Sequence, residues 1–361
     1  MILRTFGWSF AITGVGVALG FLYGGPVALG LVLILIVLEI SLSFDNAVVN
    51  ATVLERMSAY WQRIFLTVGV VIAVFGMRLV FPLLVVGVTA QLSPVEAVSL
   101  ALEKGDIKEP GTYAYVLHAA HPAIAAFGGI FLLMLFLNFV FEERDVRWLR
   151  WIERPLERIG RLDYAAVVVA IVALALAAQF LATDENRGVV LFAGVIGLGS
   201  YLLISALGSL FEKAQDDADE GEAHRPSAQN EVTKVVGRAA FFLFLYLEVL
   251  DASFSFDGVI GAFAITSDPV IIAIGLGVGA FYIRSFTIFL VRRGTLSEFV
   301  YLEHGALWAV GALAVILLVT IRWEVPELVT GLVGVGFIAA GWISSVVHTR
   351  RERTREAQLV S

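Results

Sequence analysis

Long apolar segments separated by short polar ones run through almost the whole chain. A membrane-spanning helix needs about 20 apolar residues, and on that criterion the sequence predicts about ten spans. They lie near residues 8–23, 27–54, 64–88, 119–141, 164–182, 188–211, 237–266, 270–291, 304–321 and 326–347. An arginine-rich segment at 142–163 predicts a short interfacial helix between two of them. The pattern is typical of an all-α polytopic membrane protein.

Composition supports this class and excludes several others. Of the 361 residues, 59% are hydrophobic and only 16% are charged, which is not the balance of a soluble globular domain. The net charge is −7 and the arginines gather at span ends, so we predict a lipid bilayer and no nucleic acid as partner. The sequence has no cysteine and no P-loop, HExxH or nucleophile-elbow motif, so it predicts neither an enzyme nor a cofactor.

Two of the predicted spans carry matching acidic motifs. Residues 38–49 read LEISLSFDNAVV and residues 250–261 read LDASFSFDGVIG. In this register Glu39 matches Asp251, and Asp45 matches Asp257. An ionised carboxylate at the centre of a spanning helix costs ~2.5–3.5 kcal/mol, so such residues usually face a protein interior or a wet cavity. The motifs therefore predict the functional site.

Other matching residues follow both motifs in the same order. Arg78 corresponds to Arg284, and a Tyr-x-x-His sequence occurs at 115–118 and again at 301–304. Each half then holds five spans, and an odd number inserts the second half upside down relative to the first. Inverted repeats are a recurrent transporter plan, with the substrate near the midplane where the repeats meet. The sequence thus predicts two inverted five-helix repeats.

The repeat divides the chain into five segments. They are a first repeat at 1–182 with its motif helix at 27–54, a first span of the second repeat at 183–211, an acidic cytoplasmic linker at 212–236, the rest of the second repeat at 237–347 with its motif helix at 237–266, and a basic cytoplasmic tail at 348–361. Nineteen of the 25 Lys and Arg residues fall on the side of the termini and four on the other. This asymmetry predicts an inner (plasma) membrane protein with both termini in the cytoplasm.

Helical geometry sorts the polar residues of the first motif into two faces. Glu39, Ser43, Asn46 and Asn50 fall on one stripe, which Asp251 and Ser255 repeat in the second motif. Asp45 and Asp257 lie about 240° around the helix from Glu39 and Asp251. Either each helix presents acids to two neighbours, or it unwinds at Ser-Phe-Asp. We favour the break, because discontinuous helices supply backbone carbonyls to ions in transporters.

The intramembrane charges point to a cation. Carboxylate and amide oxygens are hard ligands suited to Mn²⁺, Mg²⁺ or Ca²⁺. The candidate metal ligands are Asp45, Asp257, Glu39, Asp251, Asn46 and Glu248. Arg78 and Arg284 leave this group net negative, and we interpret them as counter-ions. Because protons compete with metal for buried carboxylates, proton coupling is expected.

The two motifs resemble those of the TerC family of integral membrane proteins, within the broader LysE-like transporter group. Ser43-Phe44-Asp45-Asn46-Ala47 with Glu39, and Ser255-Phe256-Asp257-Gly258 with Glu248 and Asp251, carry the resemblance. It implies metal-ion homeostasis, since members are associated with manganese efflux and with tellurium-resistance loci. The longer first loop and the ten spans exceed the common family core and indicate a divergent branch.

The expected function is export of a hard divalent cation, with Mn²⁺ first, through an acidic midplane site. One alternative is a membrane scaffold that binds metal without transporting it and supports tellurite or metal resistance. Another is handling of an oxyanion such as tellurite by Arg78 and Arg284, which conflicts with the net negative charge of the site.

The topology is open to direct test, because a chain without native cysteine can be labelled at single introduced cysteines. We expect cysteines at positions 150 and 225 to react from the cytoplasmic side, and a cysteine at 105 to react from the opposite side. Finding positions 150 and 225 on opposite sides of the membrane would contradict the inverted repeat.

Overall fold

In the computed structural model the chain is all-helical, at 85% helix. The structure describes residues 2–89, 91–103, 105, 107–144, 146–222, 237–266, 268–293 and 299–360, and no strand occurs among them. The predicted fold class is therefore confirmed at the level of an all-α protein.

Thirteen α-helices and two π-helical segments make up the described chain. They are α1 (Ile2–Leu42), α2 (Phe44–Glu55), α3 (Ala59–Ile64), the π segments Phe65–Gly69 and Ile72–Val80, α4 (Phe81–Thr89), α5 (Pro94–Leu102), α6 (Tyr113–Phe141), α7 (Arg150–Gly160), α8 (Ala165–Phe180), α9 (Arg187–Glu222), α10 (Gly237–Ile265), α11 (Pro269–Arg293), α12 (Leu302–Thr320) and α13 (Glu327–Val360).

Seven helical stretches within the described residues are long and apolar enough to cross a membrane. They are Phe6–Ile40, Ala59–Leu84, Tyr113–Phe141, Arg187–Leu207, Pro269–Val291, Leu302–Thr320 and Val329–Arg351. An eighth is gained if α7 and α8, which meet at 102°, are counted as one bent span. The chain is thus a multi-pass membrane protein. The predicted helix within 142–163 is confirmed as α7, and its steep angle to α8 suits a helix that lies along the bilayer surface.

The first of these stretches folds back on itself at Gly24-Gly25. Gly25 has φ 69° and ψ −156°, a conformation open essentially to glycine alone. The arm before the turn runs antiparallel to α11, because Ser9 Oγ lies 2.7 Å from Ser285 Oγ while Gly16, further along the arm, packs against Val278. The arm after it packs Leu35 against Gly275, where a Cβ atom would lie 2.5 Å from Leu35 Cβ. Residues 2–42 therefore form a helical hairpin.

Residues 59–89 form one continuous helical run that contains two π-helical segments. The two π segments widen the helix at Phe65–Gly69 and Ile72–Val80, and the second of them carries Arg78. Arg78 Nη1 donates a 2.5 Å hydrogen bond to the carbonyl oxygen of Ala73 within that segment. π-Helical turns are rare and frequently occur at functional sites.

The long polar connections contain more helix than the sequence analysis assigned to them. In the first connection α5 begins with a capping box formed by Ser93 and Glu96. Helix α9 continues to Glu222, so residues 212–222 of the predicted linker are helical, whereas 223–236 lie outside the described residues. Local hydrogen bonding extends helices beyond the apolar span because it does not depend on hydrophobic side chains.

Small residues set the close approach of helices α12 and α13. A Cβ atom at Gly305 would lie 2.6 Å from the carbonyl oxygen of Phe337, and one at Gly341 would lie 2.6 Å from that of Tyr301. In lipid the hydrophobic effect contributes little to helix association. Close van der Waals contacts through small residues therefore supply much of the stabilisation. Helix α12 in turn packs against α6 at the centre of the bundle.

The hairpin turn yields a stability prediction. Gly25→Ala forces a side chain into a conformation reserved for glycine and should destabilise the protein by ~1–3 kcal/mol. Gly30→Ala is the matched control, because Gly30 lies in the following helical arm and a Cβ atom added there would meet nothing within 4 Å. Thermal unfolding of the purified proteins in detergent measures both. Equal melting temperatures for the two variants would contradict the assigned strain.

Candidate functional site

The polar stripe predicted on the first motif helix faces the interior of the bundle. Glu39 is 1% exposed, and Ser43, Asn46 and Asn50 are also buried. Ser43 Oγ donates a 2.9 Å hydrogen bond to Glu39 Oε1, one turn away. Burial of four consecutive polar positions of a stripe within apolar helices marks this face as the inner wall of a polar site.

In the first motif, the predicted break in the helix is limited to one residue, Ser43. Ser43 leaves helical geometry with φ −100° and ψ 13°, yet its N–H still donates to the carbonyl oxygen of Glu39 at 2.9 Å. In the second copy the prediction is wrong, since α10 is helical throughout from Gly237 to Ile265. Gly258 serves packing instead of unwinding, because a Cβ atom there would lie 3.2 Å from Glu39 Oε2.

The two motif helices cross each other antiparallel. Glu39 on the first lies against Gly258 on α10, and Asn46 Nδ2 donates a 2.7 Å hydrogen bond to Asp251 Oδ1. Moving seven residues forward on one helix therefore moves seven residues backward on the other. In the sequence register Glu39 matches Asp251 and Asn46 matches Gly258. Each contact is thus the image of the other when the two halves are exchanged.

Each half of the chain pairs its own arginine with its own motif acid. Arg78 Nη2 forms an ion pair with Glu39 Oε1, and both side chains are almost wholly buried. Arg284 Nη2 lies 3.3 Å from Asp251 Oδ2, again with both side chains buried. Arg78 also interacts electrostatically with Asp251, so the two pairs form one charged cluster.

Glu248 joins this cluster from one turn earlier on α10. Its Oε1 lies 3.8 Å from Arg284 Nη2, and its side chain is 6% exposed. It faces Gly69 on the π-helical run, where a Cβ atom would lie 2.7 Å from Glu248 Oε1. The guanidinium group of Arg284, which pairs with Glu248, also packs over the Phe65 ring at 3.9 Å from its centre.

Each motif helix also packs against the arginine-bearing helix of the other half. Gly279 on α11 admits Glu39, since a Cβ atom there would lie 2.5 Å from Glu39 Cβ. In the same way, the absence of a side chain at Gly69 leaves room for the carboxylate of Glu248 from the second half. These glycines let the backbone of a neighbouring helix approach the acids closely.

Several buried polar atoms of the site have no hydrogen-bond partner among the described residues. They are Asn46 Oδ1, both amide atoms of Asn50, Arg78 Nε, both carboxylate oxygens of Glu248 and Arg284 Nη1. Buried polar atoms without partners are uncommon and costly, so a concentration of them is typical of a ligand site. Four of these seven atoms are oxygens and three are nitrogens.

Two of the predicted ligands, Asp45 and Asp257, lie on the motif helices. The backbone puts Asp45 at the start of α2 and Asp257 within α10, but their side chains lie outside the described part of the structure. Within the described residues, no three His, Asp or Glu side chains are arranged to hold a metal ion. The described acids Glu39 and Asp251 are engaged by arginines.

An apolar cavity of about 460 Å³ adjoins the cluster at Arg78. Val74, Val259 and Val278 are among the residues that line it, and Arg78 is the charged group at its wall. No carboxylate of the described residues lines this cavity, so it is not the predicted metal site.

Sequence reasoning missed the residues that enclose Glu248 and Arg284. Gly69 was detectable, because it precedes Arg78 by nine residues just as Gly275 precedes Arg284. Phe65 has no matching residue in the second half of the chain that could have identified it.

A separate buried group lies at the start of α12, where His304 Nε2 is 3.1 Å from the carbonyl oxygen of Val146. His118, its counterpart in the repeat, is exposed, so the halves differ there.

The helical bundle and its buried charges define a multi-pass α-helical membrane protein with an ionisable site in its interior. The chain matches, over residues 44–352, a family described as a protein of unknown function, DUF475, and it belongs to that family. No curated protein and no solved structure matches the chain.

The buried ion pair generates a matched stability prediction. Arg78→Met leaves Glu39 buried without its partner, which typically costs ~3–5 kcal/mol. Arg161→Met removes an arginine whose pair with Glu143 is about 70% exposed, and exposed pairs contribute ~0.2–1 kcal/mol. The double variant Glu39→Gln/Arg78→Met should recover part of the loss. Melting temperatures in detergent test this, and equal losses for Arg78→Met and Arg161→Met would contradict it.

Proposed function

We propose that this protein is a membrane transporter that exports a hard divalent cation, with Mn²⁺ the first candidate, through the acidic cluster between its two halves. The observation that carries the proposal is the arrangement of Glu39, Asp251 and Glu248 around two arginines inside the bundle. Intramembrane ionisable residues are costly and ordinarily mark an ion or substrate pathway.

The charge of the cluster favours a cation. Three described carboxylates face two guanidinium groups, and the sequence adds Asp45 and Asp257 on the same helices. The acceptors at Asn46 and Glu248 that lack a hydrogen bond are hard oxygens of the kind that Mn²⁺, Mg²⁺ and Ca²⁺ prefer. The motif resemblance to the TerC family places Mn²⁺ ahead of the other two. An oxyanion would meet a net negative wall.

The contacts support an inverted repeat of ten spans. Counting the two arms of the α1 hairpin separately, and adding α8 and α10, brings the seven candidate stretches to ten. The antiparallel crossing of the motif helices, with its exchange-related contacts at Glu39–Gly258 and Asn46–Asp251, fits a pseudo-two-fold axis in the membrane plane. Transporters of this plan bind substrate on that axis.

The arginines would hold the carboxylates while no cation is bound. A buried carboxylate needs an opposite charge in a low-dielectric interior, and Arg78 and Arg284 supply one in each half. Binding of a divalent cation would then displace the guanidinium groups from the acids. Protons compete for the same oxygens, so release of the cation would be coupled to proton uptake.

Purified protein in proteoliposomes tests the proposal in a one-component system. We expect uptake of Mn²⁺ that is accelerated by a pH gradient, tested against a panel of divalent ions. Asp45→Asn and Asp257→Asn should each abolish uptake while leaving membrane insertion intact, because neutralising an intramembrane acid does not hinder insertion.

The matched control is Asp184→Asn, which neutralises an exposed acid away from the cluster. Wild-type uptake by either motif variant would remove that aspartate from the site. Metal binding without any uptake by the wild type would favour the scaffold alternative. Tellurite binding that depends on Arg78 and Arg284, without divalent-cation binding, would favour the oxyanion alternative.

A further inference from the structure

The polar stripe of the first motif helix continues past the charged cluster to Asn50. Asn50 lies four residues beyond Asn46, about 6 Å along the helix axis. Its side chain is fully buried, and neither its amide nitrogen nor its amide oxygen has a hydrogen-bond partner in the described structure. Helix α2 is surrounded by α10, α11, α12 and α13, so Asn50 is enclosed on several sides by other helices.

A buried amide without any hydrogen bond is unfavourable, and an apolar residue of the same size would pack at lower cost. The neighbouring amide of Asn46 is half satisfied, because its Nδ2 donates a 2.7 Å hydrogen bond to Asp251 Oδ1. Its Oδ1, like both amide atoms of Asn50, has no hydrogen-bond partner among the described residues. Two amide oxygens one helical turn apart are thereby left open on the same face.

The second half of the chain has no equivalent of this extension. In the register of the repeat, Asn46 matches Gly258 and Asn50 matches Ala262, and both of those positions are buried. Neither carries a side chain that can ligate an ion. The polar stripe therefore leaves the charged cluster in one direction only, toward the Glu55 end of α2, which the charge distribution predicts to be cytoplasmic.

We propose that Asn50, with Asn46, forms a neutral oxygen subsite for the divalent cation between the cytoplasmic end of α2 and the acidic cluster. The inference rests on the proposed function and deepens it, because it assigns a side of access to a site that the repeat alone leaves symmetric. Neutral amide oxygens bind a hard cation less strongly than carboxylates do. Such a subsite passes the ion on toward the acids and does not trap it.

Asn50→Leu and Asn50→Asp separate a ligand from a packing residue. Asn50→Leu removes both amide atoms at similar volume and should weaken Mn²⁺ binding about tenfold or more, comparable with the loss of other metal-site groups. The same variant should melt at a higher temperature without metal, because an unpartnered buried amide is gone. Asn50→Asp keeps the oxygen ligands and should bind Mn²⁺ at least as well as the wild type.

Thr287→Val is the matched control. Thr287 is also fully buried, but its hydroxyl donates a 2.9 Å hydrogen bond to the carbonyl oxygen of Ile283 and so is satisfied within its own helix. This variant should leave Mn²⁺ affinity unchanged. Its use distinguishes removal of a ligand from removal of any buried polar group near the cluster.

The measurement is equilibrium binding of Mn²⁺ to the purified full-length proteins, alongside their melting temperatures. Wild-type affinity in Asn50→Leu would overturn the subsite while leaving the proposed transport function standing. Equal weakening in Asn50→Leu and Asn50→Asp would also overturn it, since the amide would then act as a hydrogen-bond donor to the protein. Absence of divalent-cation binding by the wild type would overturn both proposals.

Discussion

The cost of placing ionised side chains inside a membrane protein governs the centre of this structure. Glu39 and Asp251 are buried among apolar helices, and each is compensated by an arginine from the same half of the chain. Removing either member of such a pair leaves an uncompensated charge, so both halves must keep the acid and the arginine together. The glycines beside the acids follow from the same constraint, because they let neighbouring helices close around the pairs without a side chain intervening.

The proposed cation site requires carboxylates that their arginines can release. Carboxylates that are always bonded by rigid partners cannot accept a metal, whereas arginines on a separate helix can move away from them. Arg78 lies in a π-helical segment, and its side chain divides its donors between Glu39 and the carbonyl of Ala73. In the proposed function a bound cation would exchange for the guanidinium group at Glu39. The proposed transport cycle uses that exchange in both halves.

Symmetry and asymmetry have separate roles in this molecule. The exchange-related contacts at the motif crossing relate the two acids and the two arginines, which suits a site reached alternately from both sides. The amide stripe of Asn46 and Asn50 breaks that relation, because the matching positions are Gly258 and Ala262. For the proposed transporter, this difference would distinguish loading from the cytoplasmic side from loading from the opposite side.

The sequence by itself determined the class of the protein, the register of the two motifs and the burial of the stripe from Glu39 to Asn50. These depend on local properties, namely hydrophobic run length, the helical period and the cost of charge in lipid. Only the tertiary structure decided that Arg78 pairs with Glu39, that Glu248 faces Gly69, and that α10 stays helical where a break was expected. Those outcomes depend on which helices become neighbours and how closely their backbones approach. Contacts between residues that are distant in sequence set both, and no local pattern encodes them.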